Sequence, residues 1–303
     1  MSGFGAFCGS AVLMAATYLL AGLGAVFGER AGIVNIGIEG LMLTGSLLAV
    51  VGSYATGSVW AGLLLAMLGS VLLAAVFAVF TVSLHANQTV TGVALNILAS
   101  GLTVLLFRTI FGLNGMIPQI DTFDAVAVPG LSALPVVGAL FSQPLPVYIA
   151  FALVPVCAFV MDRTNLGLII RSVGNNPRAC DTVGLPVYRV QIGTILFTGA
   201  MSGFAGAFLS TGQLSFFTEG MVAGRGYMVL AAVAFGNYTP IGVLAAALLF
   251  GTSEALQYRL QVACPTIPTE IWAMLPYVIT LFAICVYRRS SNRPVNSGRN
   301  YLR

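Results

Sequence analysis

The sequence predicts an all-α, polytopic transmembrane helical bundle of about eight to nine spans, some short or broken, and three observations carry that reading. Of 303 residues, 58% are hydrophobic and 7% charged, against roughly 25% charged in an ordinary globular domain, so most of the surface cannot face water. The apolar runs are mostly near the roughly 20 residues that cross a hydrocarbon core as helix. Gly, Ala and Leu fill those runs without alternating polar positions, which argues against a transmembrane β-barrel.

Apolar length and polar or Gly/Pro breaks set the elements in order. The first span runs from Phe4 to Phe27; no basic residue precedes it, so it reads as a retained span rather than a cleaved signal. Ile33 to Val51, Val59 to Phe80 and Val90 to Phe111 follow, then Leu145 to Met161 and Gln191 to Ser210. The segment Met221 to Phe235 is short and interrupted by Gly, Ile241 to Leu256 follows the break at residues 236–240, and Ile271 to Tyr287 ends the bundle. Short, broken spans often line a pathway, because irregular backbone at membrane depth must be buried in protein or wetted by a cavity. A short tilted helix with a tight loop is the other reading of Met221 to Phe235.

All thirteen basic residues are Arg. The formal charge of +4 is too sparse and scattered to suggest nucleic acid, and its use is topological, since positive residues near span ends stay on the cytoplasmic side. Putting the C-terminus inside gathers Arg30, Arg163, Arg171, Arg178, Arg189, Arg288, Arg289, Arg293, Arg299 and Arg303 there, against Arg108, Arg225 and Arg259 outside. The N-terminus is then outside, and residues 112–144, with Asp121 and Asp124 read as solvated, form the longest external loop.

Catalytic chemistry is hard to build from this inventory. A P-loop needs a Lys to reach the phosphates, and the chain has none. With one histidine, His85, no paired-His zinc site forms. Five well-separated cysteines contain no CxxC pair, which argues against a disulfide or metal site.

Residues 171–184 (RSVGNNPRACDTVG) are a polar island between apolar runs. Asn176 suits the N-cap of a helix, Pro177 its first position and Gly184 the left-handed residue that closes it, with Pro186 blocking continuation. The enclosed helix, Pro177 to Val183, is about 10 Å long and too short to stand alone, so it docks on its own bundle or on a partner. An ordinary capped loop between spans is the alternative.

Polar groups within spans are the other candidates, because a buried charge in hydrocarbon costs at least about 2.5 kcal/mol. They are Asn35, Glu39, Asn96, Glu254 and Gln257. Interhelical hydrogen bonding accounts at least as well for Asn35 and Asn96. Glu219 and Arg225 flank a Gly-rich turn and are expected to pair with each other, to gate the outer mouth, or to be solvated. The small-residue spacings Gly199 to Gly203 and Ser202 to Gly206 suit close helix packing. Phe216, Phe217 and Tyr227 could stack on a ligand in a pore, but packing explains most aromatics in such a chain.

Three segments in order, residues 28–40 (GERAGIVNIGIEG), 171–184 and 218–226 (TEGMVAGRG), resemble the permease subunits of ATP-binding cassette importers in the branched-chain amino acid and simple-sugar superfamily, closest to the nucleoside-uptake branch. The resemblance runs from about Phe27 to Leu256 and departs at Asn175, Cys180 and Asn237. It implies a permease domain over residues 1–287, a coupling loop at 171–184 and a basic cytoplasmic tail over 288–303 in a bacterial inner membrane. Asn175, Asn176, Pro177, Arg178, Ala179, Asp181 and Gly184 would then contact a separate ATPase. The implied partners are that ATPase, a second permease chain that need not be identical, an external substrate-binding lipoprotein and membrane lipid. No cofactor or metal is implied. Nucleosides are the favoured cargo, then pentoses or other simple sugars, then amino acids. A transporter working alone through Glu39 and Glu254 is the rival class.

Overall fold

A computed structural model describes residues 3–112, 120–127, 138–286 and 292–302. Among these residues seven helices are long and apolar enough to cross a membrane: α1 (Gly3–Arg30), α2 (Ile38–Thr56), α3 (Val59–Ala78, continued by a π-helical turn Val79–Ser83), α4 (Gln88–Phe111), α5 (Leu145–Arg163), α8 (Val187–Phe208, with a π-helical turn Leu209–Leu214) and α10 (Pro240–Ala263). Between α5 and α8 lie α6 (Asn165–Asn175) and α7 (Pro177–Thr182); α9 (Arg225–Phe235) precedes α10, and α11 (Thr269–Ala273) and α12 (Leu275–Val286) follow it. The chain is a multi-pass membrane protein. One element falls outside the all-α expectation: β1 (Ala125–Ala127) pairs antiparallel with β2 (Ser142–Pro144), with Val126 opposite Gln143. This short hairpin lies within the predicted loop 112–144, whose residues 113–119 and 128–137 are outside the described set.

Local chemistry accounts for the helix ends. The Asn87 side chain accepts from the Thr89 and Val90 amides at the start of α4, and Thr239 caps α10 before Pro240 at its first turn, each satisfying amides that a helix cannot bond internally. Predicted boundaries shift where apolar composition hides a turn. Residues 33–37 are not helical: Asn35 Oδ1 accepts from the Gly37 amide at 2.8 Å and folds the chain locally, so α2 begins at Ile38. The last span is split at Met274 into α11 and α12.

Helix α1 occupies the centre, packed on α5, α8, α9 and α10, with Ala15, Leu19, Leu20 and Leu23 wholly buried. α2, α3 and α8 form a second tight group. A Cβ on Gly203 would lie 2.7 Å from the Ala66 carbonyl oxygen, and one on Gly45 would lie 2.6 Å from the Gly203 carbonyl oxygen. Backbone approach at these two positions explains the small-residue spacing in α8. Outward faces of α3 and α4 carry exposed Leu64, Leu68, Leu72, Ile97 and Leu105, as surfaces bathed in hydrocarbon do.

The ends of the bundle are distinct. One gathers Arg30, the turn 84–87, α7, the turn 236–239 and the tail 292–302; the other gathers the Tyr54–Phe111 and Trp60–Phe123 ring contacts with the Arg108–Glu219 pair.

Candidate functional site

Two polar constellations stand out, one inside the bundle and one at the Arg30 end. The inner one is organised by α9. Its eleven residues give about 16 Å of helix at 1.5 Å per residue, roughly half of a 30 Å hydrocarbon core. Residues 215–224 lead into α9 as irregular chain, with positive φ at Ser215, Gly220, Ala223 and Gly224. Where such backbone is buried, its polar groups need partners inside the protein. Glu39 supplies them: Oε1 accepts from the Gly224 amide and Oε2 from the Gly226 amide, both at 2.7 Å. A carboxylate thus grips the amino end of α9, where free amides and the helix dipole favour negative charge.

Arg225 lies between the two gripped amides, and its side chain turns the other way. The guanidinium bonds Glu254 through Nε at 3.1 Å and through Nη2, while Nη1 donates to the Met221 and Val222 carbonyls at 3.1 Å. The other Glu254 oxygen accepts from the Tyr18 hydroxyl at 2.9 Å. The side chains of Arg225 and Glu254 are only 14% and 8% exposed, so each charge depends on its partner. Asn96 on α4 adds a further stitch. It accepts from the Gly40 amide at 2.8 Å and donates to the Ile36 carbonyl and the Tyr227 hydroxyl at 3.0 Å. α1, α2, α4, α9 and α10 therefore converge on residues 224–227.

These contacts revise one expectation. Glu219 and Arg225 do not pair: Glu219 takes a two-pronged bond from Arg108 at 2.8 and 3.1 Å on the exposed side, and Arg225 is drawn from the Gly-rich turn into the bundle by Glu254. The Arg108 hydrogen bond holds the Glu219 carboxyl below the usual carboxylate range. Phe217 is fully buried against Phe107 and serves packing rather than a pathway. Asn35 Oδ1 bonds within the local turn, its buried amide nitrogen has no partner among the described residues, and Asn96 bonds between helices.

At the Arg30 end, α7 has the predicted capping. Asn176 Oδ1 accepts from the Ala179 amide at 3.2 Å, Pro177 opens the helix, and Gly184 has φ +82°. The helix ends at Thr182, one residue short of expectation. Pro177 and Cys180 face inward, whereas Asn175, Asn176, Arg178, Ala179, Thr182, Val183 and Gly184 are exposed and Asp181 is half-buried. Cys180 packs with Val173, Val187 and Tyr301.

The tail is an ordered strap that sequence composition does not reveal. Asn292 donates to Asn237, Asn296 to the Gly174 carbonyl, Gly298 to the Gly32 carbonyl, Asn300 to the His85 and Ala86 carbonyls, and the Tyr301 hydroxyl to Asp181 at 3.0 Å. One peptide segment thereby ties α7 to three neighbouring turns. Its signal in the sequence is faint: an Asn at every fourth position, 292, 296 and 300, within a basic stretch.

Many apolar crossings around a half-length helix with its amino end buried, and a capped helix displayed at one end, define a membrane-transport subunit. The chain matches the family described as the branched-chain amino acid transport system permease component over residues 8–284, and it belongs to that family. It is 34% identical over 302 residues to the guanosine ABC transporter permease protein NupQ of Bacillus subtilis, covering 96% of this chain and 95% of NupQ. It is 33% identical over 291 residues to the nucleoside ABC transporter permease protein NupC of Lactococcus lactis, covering 93% and 92%. A second guanosine permease protein of Bacillus subtilis, NupP, is 23% identical over 288 residues, covering 93% of this chain and 82% of NupP.

Proposed function

We propose that this permease subunit forms the translocation pathway of an ATP-driven nucleoside importer in a bacterial cytoplasmic membrane, with the Arg30 end in the cytoplasm. α7 is the contact with a separate ATPase subunit. The observation that carries this is the display of α7: a capped two-turn helix with Arg178, Thr182 and Val183 exposed, held from behind by Cys180 and the Tyr301–Asp181 bond. ATP hydrolysis belongs to the partner, and the push it delivers enters the spans through α7 and the strap. Two distinct permease proteins in Bacillus subtilis both resemble this chain, which favours pairing with a second, non-identical permease. An external binding lipoprotein delivers cargo.

The Arg distribution supports this orientation, and the names of NupQ and NupC support nucleoside cargo. Against a transporter working alone, both intramembrane carboxylates are engaged by protein donors: Glu39 by two amides, Glu254 by Arg225 and Tyr18. The test is to replace Arg178 by Ala and Val183 by Asp and to measure ATPase co-purification and uptake in membranes where insertion is verified. Loss of both is expected; retention of both sinks the coupling role.

A further inference from the structure

Between α10, the α11–α12 pair and the chain entering α9 lies a cavity of about 330 Å³, within the range of roughly 300–1,000 Å³ typical of small-molecule sites. Its wall includes Tyr18, Arg225, Glu254, Gln257, Tyr258 and Tyr277. The two charges on it compensate each other in the Arg225–Glu254 pair, and Tyr18 is bound to Glu254. Among the described residues the side chains of Gln257, Tyr258 and Tyr277 make no hydrogen bond, and the two tyrosines are 43% and 49% exposed.

We infer that this cavity is a cargo subsite for a nucleoside, a deepening that rests on the importer reading above. The wall is chemically selective. A phosphorylated ligand needs a free cation and a zwitterionic amino acid needs both signs, but among the described residues the cation and the anion facing the cavity, Arg225 and Glu254, already neutralise each other, so a neutral ligand fits. The rings of Tyr258 and Tyr277 offer aromatic faces, and base stacking on such rings contributes roughly 1–3 kcal/mol per base. Gln257 carries a donor and an acceptor that can meet a base edge or sugar hydroxyls. The cavity also adjoins the gripped end of α9: a Cβ on Gly224 would lie 3.2 Å from the Tyr277 hydroxyl. A ligand on Tyr277 would sit against the segment that Glu39 holds.

The test uses proteoliposomes containing the whole complex that co-purifies with this chain, with labelled guanosine and uridine as probes. Gln257→Ala and Tyr277→Ala should each raise the half-saturating nucleoside concentration about ten-fold, the equivalent of 1.4 kcal/mol. Tyr277→Phe, which keeps the ring, should recover most of that loss. Gln257→Ala should also change the guanosine-to-uridine preference, which a purely structural defect would leave alone. Ala273→Trp, which fills the cavity without removing a polar group, should abolish uptake while the complex still co-purifies. Variants with wild-type half-saturation and base preference overturn the subsite. A wild-type complex that hydrolyses ATP but moves neither nucleoside overturns the cargo reading and the subsite with it, a separable result.

Discussion

Replacing Glu39 should loosen the amino end of α9 more than any other single polar change in the seam of α2 and α9. The carboxylate accepts two amide bonds, each 2.7 Å. Hydrogen bonds to a charged group contribute about 1.5–3 kcal/mol each, which would give about 3–6 kcal/mol for the pair. Interhelical bonds in membranes average about 0.6 kcal/mol, because side chains find other partners in the unfolded state. In the folded state the amides of Gly224 and Gly226 have no internal helix acceptor, so loss of Glu39 leaves both unpaired. An intermediate cost of about 3 kcal/mol for Glu39→Ala follows from these limits. Glu39→Gln keeps an acceptor but loses the charge, and about half that cost is expected. Thermal or denaturant unfolding of the purified protein in detergent measures both, and hydrogen exchange at residues 224–226 localises the effect. Glu39→Ala within about 0.5 kcal/mol of wild type, or Glu39→Gln worse than Glu39→Ala, would refute the reasoning.

The Arg225–Glu254 pair should behave as a buried pair. Arg225→Met alone should cost about 3–5 kcal/mol, whereas Arg225→Met with Glu254→Leu should recover much of it; a double-mutant cycle in detergent decides. Tyr301→Phe removes the hydroxyl that bonds Asp181 and keeps the ring, and protease sensitivity near α7 should rise with little loss of global stability, about 1 kcal/mol. Gly203→Val forces a side chain into the Ala66 and Ser70 backbone and side-chain contacts, and it should cost about 1–3 kcal/mol or prevent packing, read by Tm. Glu219 has a folded pKa below its unfolded value because of Arg108. Its contribution is therefore fully present above the unfolded carboxylate pKa of about 4.3 and is lost as pH falls through the lower folded value. A pH titration of stability should lose that dependence in Glu219→Gln.

Much of the architecture is legible in sequence because hydropathy and capping are local. Asn176, Pro177 and Gly184 specify α7 within nine residues, and its expected length differs by one. Elements fail to show where the determinant is distant. Glu219 finds Arg108 from 111 residues away, and Arg225 finds Glu254 only because α9 and α10 pack together. Residues 33–37 read as span because they are mainly apolar, yet the Asn35 turn and the Gly40–Asn96 bond place the start of α2 later. The strap is hidden because most of its contacts are backbone amides, with the Asn300 and Tyr301 side chains, inside a stretch whose charge suggests only a basic tail. Stabilising contacts made by backbone leave little trace in composition.

The central claim, that this chain carries cargo under ATP power through α7, is tested most directly by nucleoside uptake into proteoliposomes bearing the complete complex. Uptake should require ATP hydrolysis, persist when ionophores collapse the ion gradients, and disappear with Arg178→Ala combined with Val183→Asp. Uptake that persists without ATP and collapses with an ion gradient would contradict it.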